Sequence, residues 1–249
     1  MLQRYFVPKE NMTDTKVTIT GEDVKHIARV MRMKIGDMII CSNSIQAARC
    51  KLEEITDNEV TANIVEWIEE QKELPVAVTI AQGLPKGDKL DYIIQKGTEL
   101  GANSFWPFAA ARSVVKWNAQ KGQKKIERLE KIAKEAAEQS HRTQVPTVQL
   151  PTSFQDLLKE SSHYDIKLIA YEESAKTGEK KNLAKTLNTV QSGQTILLVI
   201  GPEGGLSEHE VMALEEQGFV SCGLGPRILR TETAALYFLA AVSYHTELM

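Results

Sequence analysis

The chain has 249 residues, more than a typical single domain of about 100–200 residues, so we expect one large domain or two small ones. Its 42% hydrophobic and 25% charged residues exclude a mainly disordered chain, a collagen and a coiled-coil rod. The 30 Lys and Arg residues against 33 Asp and Glu residues give a net charge of −3, which by itself indicates no nucleic-acid partner.

The cysteines and the apolar runs indicate a cellular compartment. Cys41, Cys50 and Cys222 are an odd number with no CxxC pair, so we expect neither a disulfide framework nor a metal site. The first ten residues contain no apolar stretch of signal-peptide length. The longest apolar run, residues 234–242, is far shorter than the ~20 residues of a membrane span. We therefore expect a soluble, cytoplasmic protein with no membrane partner.

The first 70 residues predict short strands interrupted by one helix, as in a small β-barrel. Thr20 is the predicted N-cap of that helix, with Asp23 three residues later. The apolar positions at helical spacing are Val24, Ile27, Ala28 and Met31. The outward basic positions are Lys25, Arg29 and Arg32. The acidic stretch 69–75 is the predicted linker, which divides the chain into domains 1–72 and 73–249.

Beyond the linker, strands and helices alternate, which predicts an α/β domain with a mainly parallel sheet. The run TILLVI at 195–200 is continuously apolar, as in a strand covered on both faces. A long helix is predicted over 118–141 and a very apolar one over 231–247. Ser207 and Glu210 form a predicted capping box before the helix that ends near Gln217.

The net charge conceals an uneven distribution along the chain. Residues 1–51 carry +4, 52–72 carry −6, 73–146 carry +4 and 147–249 carry −5. On the long helix the basic residues that crowd one side are Lys121, Lys124, Lys125, Arg128 and Lys131. Such a stripe attracts phosphates, and the alternative is a solvated helix face.

The segment TILLVI-GPEGGLSEHE runs from a buried strand through a glycine-rich turn into a capped helix. Ligands of parallel α/β sheets bind at the carboxyl ends of strands, and Gly201, Gly204 and Gly205 allow close backbone approach. The loop matches neither GxxxxGK[ST] nor GxGxxG. With Glu203 beside the glycines, it favours an uncharged or cationic ligand over a phosphate, and the alternative is a simple strand–helix turn.

A second loop, LGPRILRTETAALYFLAAV, begins about 20 residues later and leads into the apolar helix. Arg227 and Arg230 lie beside its start and require partners such as Glu232, a backbone carbonyl or a ligand. A structural salt bridge is the alternative for either arginine. Two glycine-containing loops after strands predict one shared pocket.

These two loops resemble the paired C-terminal motifs of the bacterial small-subunit ribosomal RNA methyltransferases that act on N3 of a uridine, in the SPOUT superfamily. Upstream matches are RYFV, HIARVMRMKIGD, QKGTELGANSFWPF with ARSVVK, and KEAAEQSHRTQVP, so the resemblance covers most of the chain. The sequence departs from the family pattern at His141, where a small residue is more usual.

The resemblance implies a PUA-like N-terminal barrel and an α/β domain tied in a deep trefoil knot, with S-adenosylmethionine bound in the knot and no metal. Members are usually homodimers that act on 16S ribosomal RNA or the assembled small subunit. The residues to which the resemblance assigns the cofactor are Tyr171, Glu172, Ile200, Gly201, Pro202, Glu203, Gly204, Gly205, Leu224, Gly225, Arg227, Ile228 and Leu229.

The implied reaction transfers a methyl group to N3 of uridine, and negative charge develops on the O2 and O4 atoms of the base. An arginine near those oxygens would stabilise this charge, and a carboxylate or water would take the proton. The candidate catalytic residues are Arg112, Arg142, Arg230 and Glu232. Arg112 and Arg142 have the alternative of an Arg–Glu pair. The candidate RNA-binding residues are Lys25, Arg29, Arg32, Lys121, Lys125 and Arg128.

Two other classes of function remain open at this point. One is a non-catalytic RNA-binding protein of the same fold, which predicts altered glycines or missing arginines in the two loops. The other is a nucleotide-binding α/β enzyme unrelated to RNA, which predicts phosphate-binding loops and leaves the basic stripes without a role.

Overall fold

The structure, a computed structural model, describes residues 2–69, 72–115, 117, 119–171 and 182–249, with only the backbone at 119–121. The chain forms two compact units. The N-terminal unit consists of Met1–Glu73 and Ala137–Val145, and the C-terminal unit of Leu74–Ala136 and Pro146–Met249. The sequence offered no sign that residues 137–145 belong with the first 73 residues.

The N-terminal unit is built on a five-stranded sheet with the order β1-β3-β4-β5-β2. Its strands are β1 Arg4–Phe6, β2 Lys16–Thr20, β3 Met38–Ser42, β4 Ala47–Ile55 and β5 Glu59–Ile68. The β1–β3 pair is parallel, and the other pairs are antiparallel. Alternate residues such as Val17 and Ile19 of β2 are buried, which gives the sheet one core face. The predicted small β domain is therefore confirmed.

The helical segment of this unit starts differently from the prediction. Helix α1 covers Glu22–Lys25 and continues as a π-helical turn over His26–Val30. Its N-cap is Gly21 at φ +74, a conformation that suits glycine. The expectation that Thr20 caps the helix is wrong, because Thr20 is still paired with Glu59 in the sheet.

The apolar stripe of this segment is only partly inward. Val24 and Ile27 are buried as expected, whereas the Met31 side chain is 39% exposed. The π-helical turn ends the regular helix, and Arg32 adopts a left-handed φ of +52. The π-helical turn replaces the α-helical spacing on which the stripe was predicted, so Met31 does not continue the buried row of Val24 and Ile27. Lys25, Arg29 and Arg32 are exposed.

His141, the position that departs from the family pattern, also has a left-handed backbone, with φ at +59. This region favours glycine, and histidine is among the residues with a Cβ that adopt it more often than most. Burial lowers the pKa of His141, and the charges of Arg4 and Lys72 lower it further. The imidazole is therefore held neutral near pH 7.

The C-terminal unit contains a seven-stranded sheet with the order β12-β10-β11-β6-β7-β8, in which β9 also pairs with β7. Its strands are β6 Ala77–Gly83, β7 Ser104–Ala109, β8 Thr147–Val148, β9 Thr152–Ser153, β10 Ile166–Ala170, β11 Thr195–Ile200 and β12 Val220–Cys222. Every described pairing in this sheet is parallel. The predicted parallel α/β sheet is thus confirmed, and its strands end along one edge.

The described helices are α2 Lys89–Glu99, α3 Ala119–Gln139, α4 Phe154–Glu160, α5 Asn182–Leu187, α6 Glu208–Glu216 and α7 Thr231–Glu247. The capping box of Ser207 and Glu210 at the start of α6 is present as predicted. Gly97 of α2 lies so close to Phe105 and Leu239 that a Cβ there would be 2.7 Å from the Phe105 ring. Helices α2 and α7 therefore pack against the same part of the sheet.

The described residues contain no helix with the length and apolar character needed to cross a membrane. Within the same residues, no group of three or more His, Cys, Asp or Glu side chains is arranged to hold a metal ion. The trefoil knot remains a prediction.

Candidate active site

An open cavity of about 680 Å³ lies where β10 and β11 end in the C-terminal unit. Its walls come from both glycine-containing loops, together with residues of α2, of α7 and of the segment after β7. The predicted residues that line it are Arg112, Tyr171, Ile200, Gly201, Pro202, Glu203, Gly204, Gly205, Ile228, Leu229 and Arg230. The structure therefore brings the two loops together in one pocket, as the sequence suggested.

A smaller cavity of about 70 Å³ adjoins this pocket, because Ala170, Tyr171 and Leu229 line both. It accounts for the remaining predicted cofactor residues that the structure describes, namely Leu224, Gly225 and Arg227. Glu172 lies outside the described residues.

The glycine-rich loop after β11 leaves no room for side chains. A Cβ on Gly201 would lie 2.6 Å from the carbonyl carbon of Gly205 and 2.7 Å from the amide nitrogen of Leu206. A Cβ on Gly204 would lie 3.1 Å from the Cβ of Arg112. Gly205 itself has φ at +69. The loop therefore folds back on itself and presents backbone groups to the cavity.

A buried hydrogen-bond chain fixes this loop to β6 and α7. The Thr231 hydroxyl donates to the carbonyl oxygen of Gly201 at 2.7 Å, and Gln82 Nε2 donates to Thr231 Oγ1 at 2.8 Å. Both side chains are buried. The sequence analysis missed this pair, since Gln82 and Thr231 lie 149 residues apart in the chain.

We expect Thr231→Val to destabilise the fold by about 0.5–1.5 kcal/mol, because it removes the buried hydroxyl that donates to the Gly201 carbonyl and accepts from Gln82 Nε2. Gln82 Nε2 still donates to the carbonyl oxygens of Gly83 at 3.0 Å and of Gly201 at 3.3 Å, so the loss is that of the hydroxyl's own bonds. Urea unfolding followed by circular dichroism measures this change. The matched control is Thr233→Val, at an exposed position of the same helix. If the two variants unfold at the same urea concentration, the Thr231 hydroxyl does not stabilise the loop.

Glu203 takes part in an ion pair at the rim of the cavity. Its Oε1 atom accepts hydrogen bonds from Lys89 Nζ at 2.8 Å and from the Lys86 amide at 3.1 Å. Burial alone would raise the pKa of Glu203, but hydrogen bonds from Lys89 and from backbone amides hold it below its ordinary value. The same hydrogen bond raises the pKa of Lys89. Glu203 is therefore ionised, and Lys89 neutralises much of its charge.

Glu232 does not line the described part of the cavity. Its Oε2 atom is buried and lies 3.7 Å from Lys89 Nζ, so this lysine faces both Glu203 and Glu232. Lys89, which the sequence analysis also missed, connects the starts of α2 and α7 with the glycine-rich loop. No local pattern distinguishes it from an ordinary basic residue near a helix start.

Two arginines lie at the cavity itself. Arg112 Nη1 donates to the carbonyl oxygen of Gly204 at 3.0 Å, which anchors this side chain on the loop. Arg230 precedes α7, is exposed, and makes no side-chain capping bond there. Both guanidinium groups are therefore positioned to meet a ligand that enters from solvent.

Arg142 lies in the N-terminal unit instead, where its side chain is only 3% exposed. It forms an ion pair with Glu73, whose other oxygen accepts the Thr143 amide at 2.9 Å. Arg4 Nη1 donates to the Arg142 carbonyl at 2.8 Å. The structure contains the Arg–Glu pair that the sequence left open as an alternative, and this buried pair occupies the guanidinium of Arg142.

On α3 the side chains of Lys124, Lys125, Arg128 and Lys131 are exposed, whereas Ile126 and Leu129 are buried. Lys125 Nζ lies 4.6 Å from the centre of the Trp117 ring, a cation–π contact. Arg128 is paired with Asp91 of α2. The side chain of Lys121 lies outside the described residues.

A parallel α/β sheet with a glycine-built cavity at its carboxyl edge defines a ligand-binding α/β enzyme class. Comparison with models of protein families identifies which enzyme class this is. Residues 72–243 match the model of an RNA methyltransferase domain, and residues 19–65 match that of an RNA methyltransferase PUA domain. The chain belongs to the RNA methyltransferase family.

Individual relatives agree with this assignment. The chain is 53% identical to the ribosomal RNA small subunit methyltransferase E of Bacillus subtilis, over 100% of this chain and 98% of that protein. It is 33% identical to the protein of the same name from Synechocystis, over 98% and 78%. The structure of the Neisseria gonorrhoeae protein of that name, bound to S-adenosyl methionine, matches with a TM-score of 0.85 at 28% identity, over 98% and 97%.

Proposed function

We propose that this chain transfers a methyl group from S-adenosylmethionine to N3 of one uridine in the 16S RNA of the small ribosomal subunit. The observation that carries the proposal is the shared cavity of the two glycine-containing loops, in a chain of the RNA methyltransferase family. The names of the relatives support a ribosomal RNA substrate. The deep trefoil knot belongs to the same proposal, as does action in the cytoplasm, where ribosomal subunits are made.

The lining of the cavity suits the chemistry of the cofactor. The tight loop from Gly201 to Gly205 offers backbone groups rather than side chains, and the apolar Ile200 and Leu229 suit an adenine ring. Ionised Glu203 and the loop carbonyls suit a cationic sulfonium centre. When bound, S-adenosylmethionine supplies an electrophilic methyl group, which no side chain of this chain supplies.

The residues of the chain then act on the base. Arg112 is anchored on the Gly204 carbonyl and Arg230 lies at the start of α7, so both guanidinium groups are available to uracil oxygens that gain negative charge. The N3 proton passes to a carboxylate or to water. Glu232 acts through Lys89, which holds Glu203 in place, so we assign it a positioning role.

The direct test is mass mapping of 16S RNA from cells that lack this protein. We expect a single methyl group to be missing from one uridine, and purified protein with S-adenosylmethionine to restore it. Parallel assays on naked RNA and on small subunits identify the substrate form. If the RNA is identical with and without the protein, the proposed substrate is wrong. Calorimetry tests the alternative: if the protein does not bind S-adenosylmethionine at millimolar concentration, it is a non-catalytic RNA-binding protein.

We further propose that two basic surfaces bind RNA phosphates, one in each unit. Lys25, Arg29 and Arg32 are exposed beside the π-helical turn, and Lys125 and Arg128 are exposed on α3. Uridine N3 lies on the Watson–Crick edge, so the target base must be unpaired or splayed out, and phosphate contacts must hold the surrounding RNA.

Reversal of charge at Lys125 and Arg128 together, each to Glu, is expected to weaken RNA binding about tenfold or more and to leave the affinity for S-adenosylmethionine unchanged. Filter binding with small subunits at two salt concentrations measures the first effect, and calorimetry the second. A double variant of equal charge change, Lys159→Glu with Lys185→Glu at exposed positions, is the control. If both double variants bind RNA with equal affinity, the basic stripe of α3 is a solvated helix face that does not contact RNA.

A homodimer is part of the proposal. Helix α7 is buried on one side but exposes an apolar stripe at helical spacing, with Tyr237, Ala240 and Tyr244 outward. Exposed apolar stripes of this kind are typical of protein interfaces.

We expect sedimentation at micromolar protein to give a dimer, and the variant Tyr237→Glu with Tyr244→Glu to give a monomer, because two charges cannot be buried without partners. Met212→Glu, which changes an exposed apolar residue of α6, is the matched control. A wild-type monomer would contradict the dimer, whereas an unaffected double variant would exclude this face of α7 from the interface.

A further inference from the structure

A second cavity, of about 510 Å³, lies beside the candidate active site in the C-terminal unit. Two chain segments form the wall between the two cavities: residues 109–115, which begin at the last residue of β7, and residues 206–210, which lead into α6. Residues along these segments alternate between the cavities. Those at the candidate active site are Arg112, Leu206 and Glu208, and those at the second cavity are Ala111, Ser113, Ser207 and His209.

The lining of the second cavity combines apolar walls with a few polar groups. Ala109, Val115 and Phe154 supply apolar surface. The hydroxyl oxygen of Ser113 is buried and has no hydrogen-bond partner within the described part of the chain, and the His209 side chain adds a ring with a donor and an acceptor. An unpaired buried hydroxyl is unfavourable unless a ligand or water completes it.

A buried carboxylate in the same cavity selects against phosphates. Glu210 is 4% exposed, and it accepts the Ala111 amide at 2.7 Å together with the amide and hydroxyl of Ser207 at 2.8 and 2.9 Å. Since these donors already satisfy it, it has little to offer a cation. A second negative charge beside it would be repelled. The cavity therefore suits an uncharged, partly apolar group.

We propose that this cavity holds an unpaired nucleobase of the RNA that neighbours the methylated uridine; this rests on the proposed function. Splaying the target base out of its stack exposes the faces of its neighbours, which then require an apolar surface. The wall separates the second cavity from the methyl donor, so its occupant is not the target base. Val115 also lies ten residues before Lys125, and the cavity therefore adjoins the segment that leads to the proposed phosphate stripe.

The test compares Val115→Trp, which fills the cavity, with Val114→Trp at the neighbouring position, which is 71% exposed and does not line it. With small subunits from cells lacking the protein as substrate, Val115→Trp should raise the KM for the subunit about ten- to a hundredfold. Ser113→Ala, which removes a single hydroxyl, should raise it about three- to tenfold. The dissociation constant for S-adenosylmethionine should stay within twofold of wild type in all three variants.

Equal KM values for Val115→Trp and Val114→Trp, in enzymes that bind S-adenosylmethionine normally, would overturn the base site alone. A wild-type chain that transfers no methyl group would overturn the proposed function and the base site with it. If Val115→Trp does not fold, Ser113→Ala decides, and an unchanged KM there overturns the site.

Discussion

Replacing Arg230 with Ala should lower kcat for methyl transfer about 100- to 1,000-fold, the loss expected when a group that stabilises developing charge is removed. Arg230 lines the cavity, is exposed, and makes no side-chain capping bond to α7, so its removal should leave the fold intact. Single-turnover transfer of radiolabelled methyl to small subunits measures the chemical step.

Two measurements separate this effect from its alternatives. The affinity for S-adenosylmethionine and the melting temperature should match wild type, since the expected loss lies in the transition state. Arg230→Lys keeps the charge but loses the planar fork, and it should recover only part of the rate. Near wild-type turnover of Arg230→Ala would remove the residue from the mechanism and leave Arg112 as the candidate.

Gly201→Ala should weaken S-adenosylmethionine binding about a hundredfold and abolish detectable turnover. The new Cβ would lie 2.6 and 2.7 Å from backbone atoms of Gly205 and Leu206, so the loop must open. A shift of about 1 Å in a positioning element is enough for a loss of this size. Calorimetry with the cofactor provides the measurement.

The matched control is Gly122→Ala on α3, where a Cβ meets no atom within 4 Å. Alanine is favoured over glycine in a helix by up to about 1 kcal/mol, so this variant should be equally or slightly more stable and should bind the cofactor normally. If Gly201→Ala binds S-adenosylmethionine within twofold of wild type, the closed loop is not what shapes the cofactor site.

Local patterns in the sequence predicted the mainly parallel C-terminal sheet and the two glycine-containing loops. Strand β11 was predicted from an apolar run, and the capping box from Ser207 and Glu210. Both patterns involve residues only a few positions apart in the chain. The start of α1 was mispredicted because pairing of Thr20 with Glu59 competes with capping, and that pairing connects residues far apart in the chain.

The arginines illustrate the limit of the sequence most clearly. Arg112, Arg142 and Arg230 all lie beside predicted elements, and nothing in their immediate neighbours distinguishes them. Packing gives Arg142 a buried carboxylate partner in the N-terminal unit, whereas Arg112 and Arg230 remain at the cavity. A guanidinium whose charge is already paired in a buried site is not available to a substrate.

By itself, the sequence determined the class of fold, the two glycine-containing loops and the uneven distribution of charge, because these depend on composition and on spacing within single elements. Only the tertiary structure decided which groups meet. The bonds from Gln82 to Thr231 and from Lys89 to Glu203 join residues more than 100 positions apart. Such contacts follow from how strands and helices pack, and no local spacing encodes them.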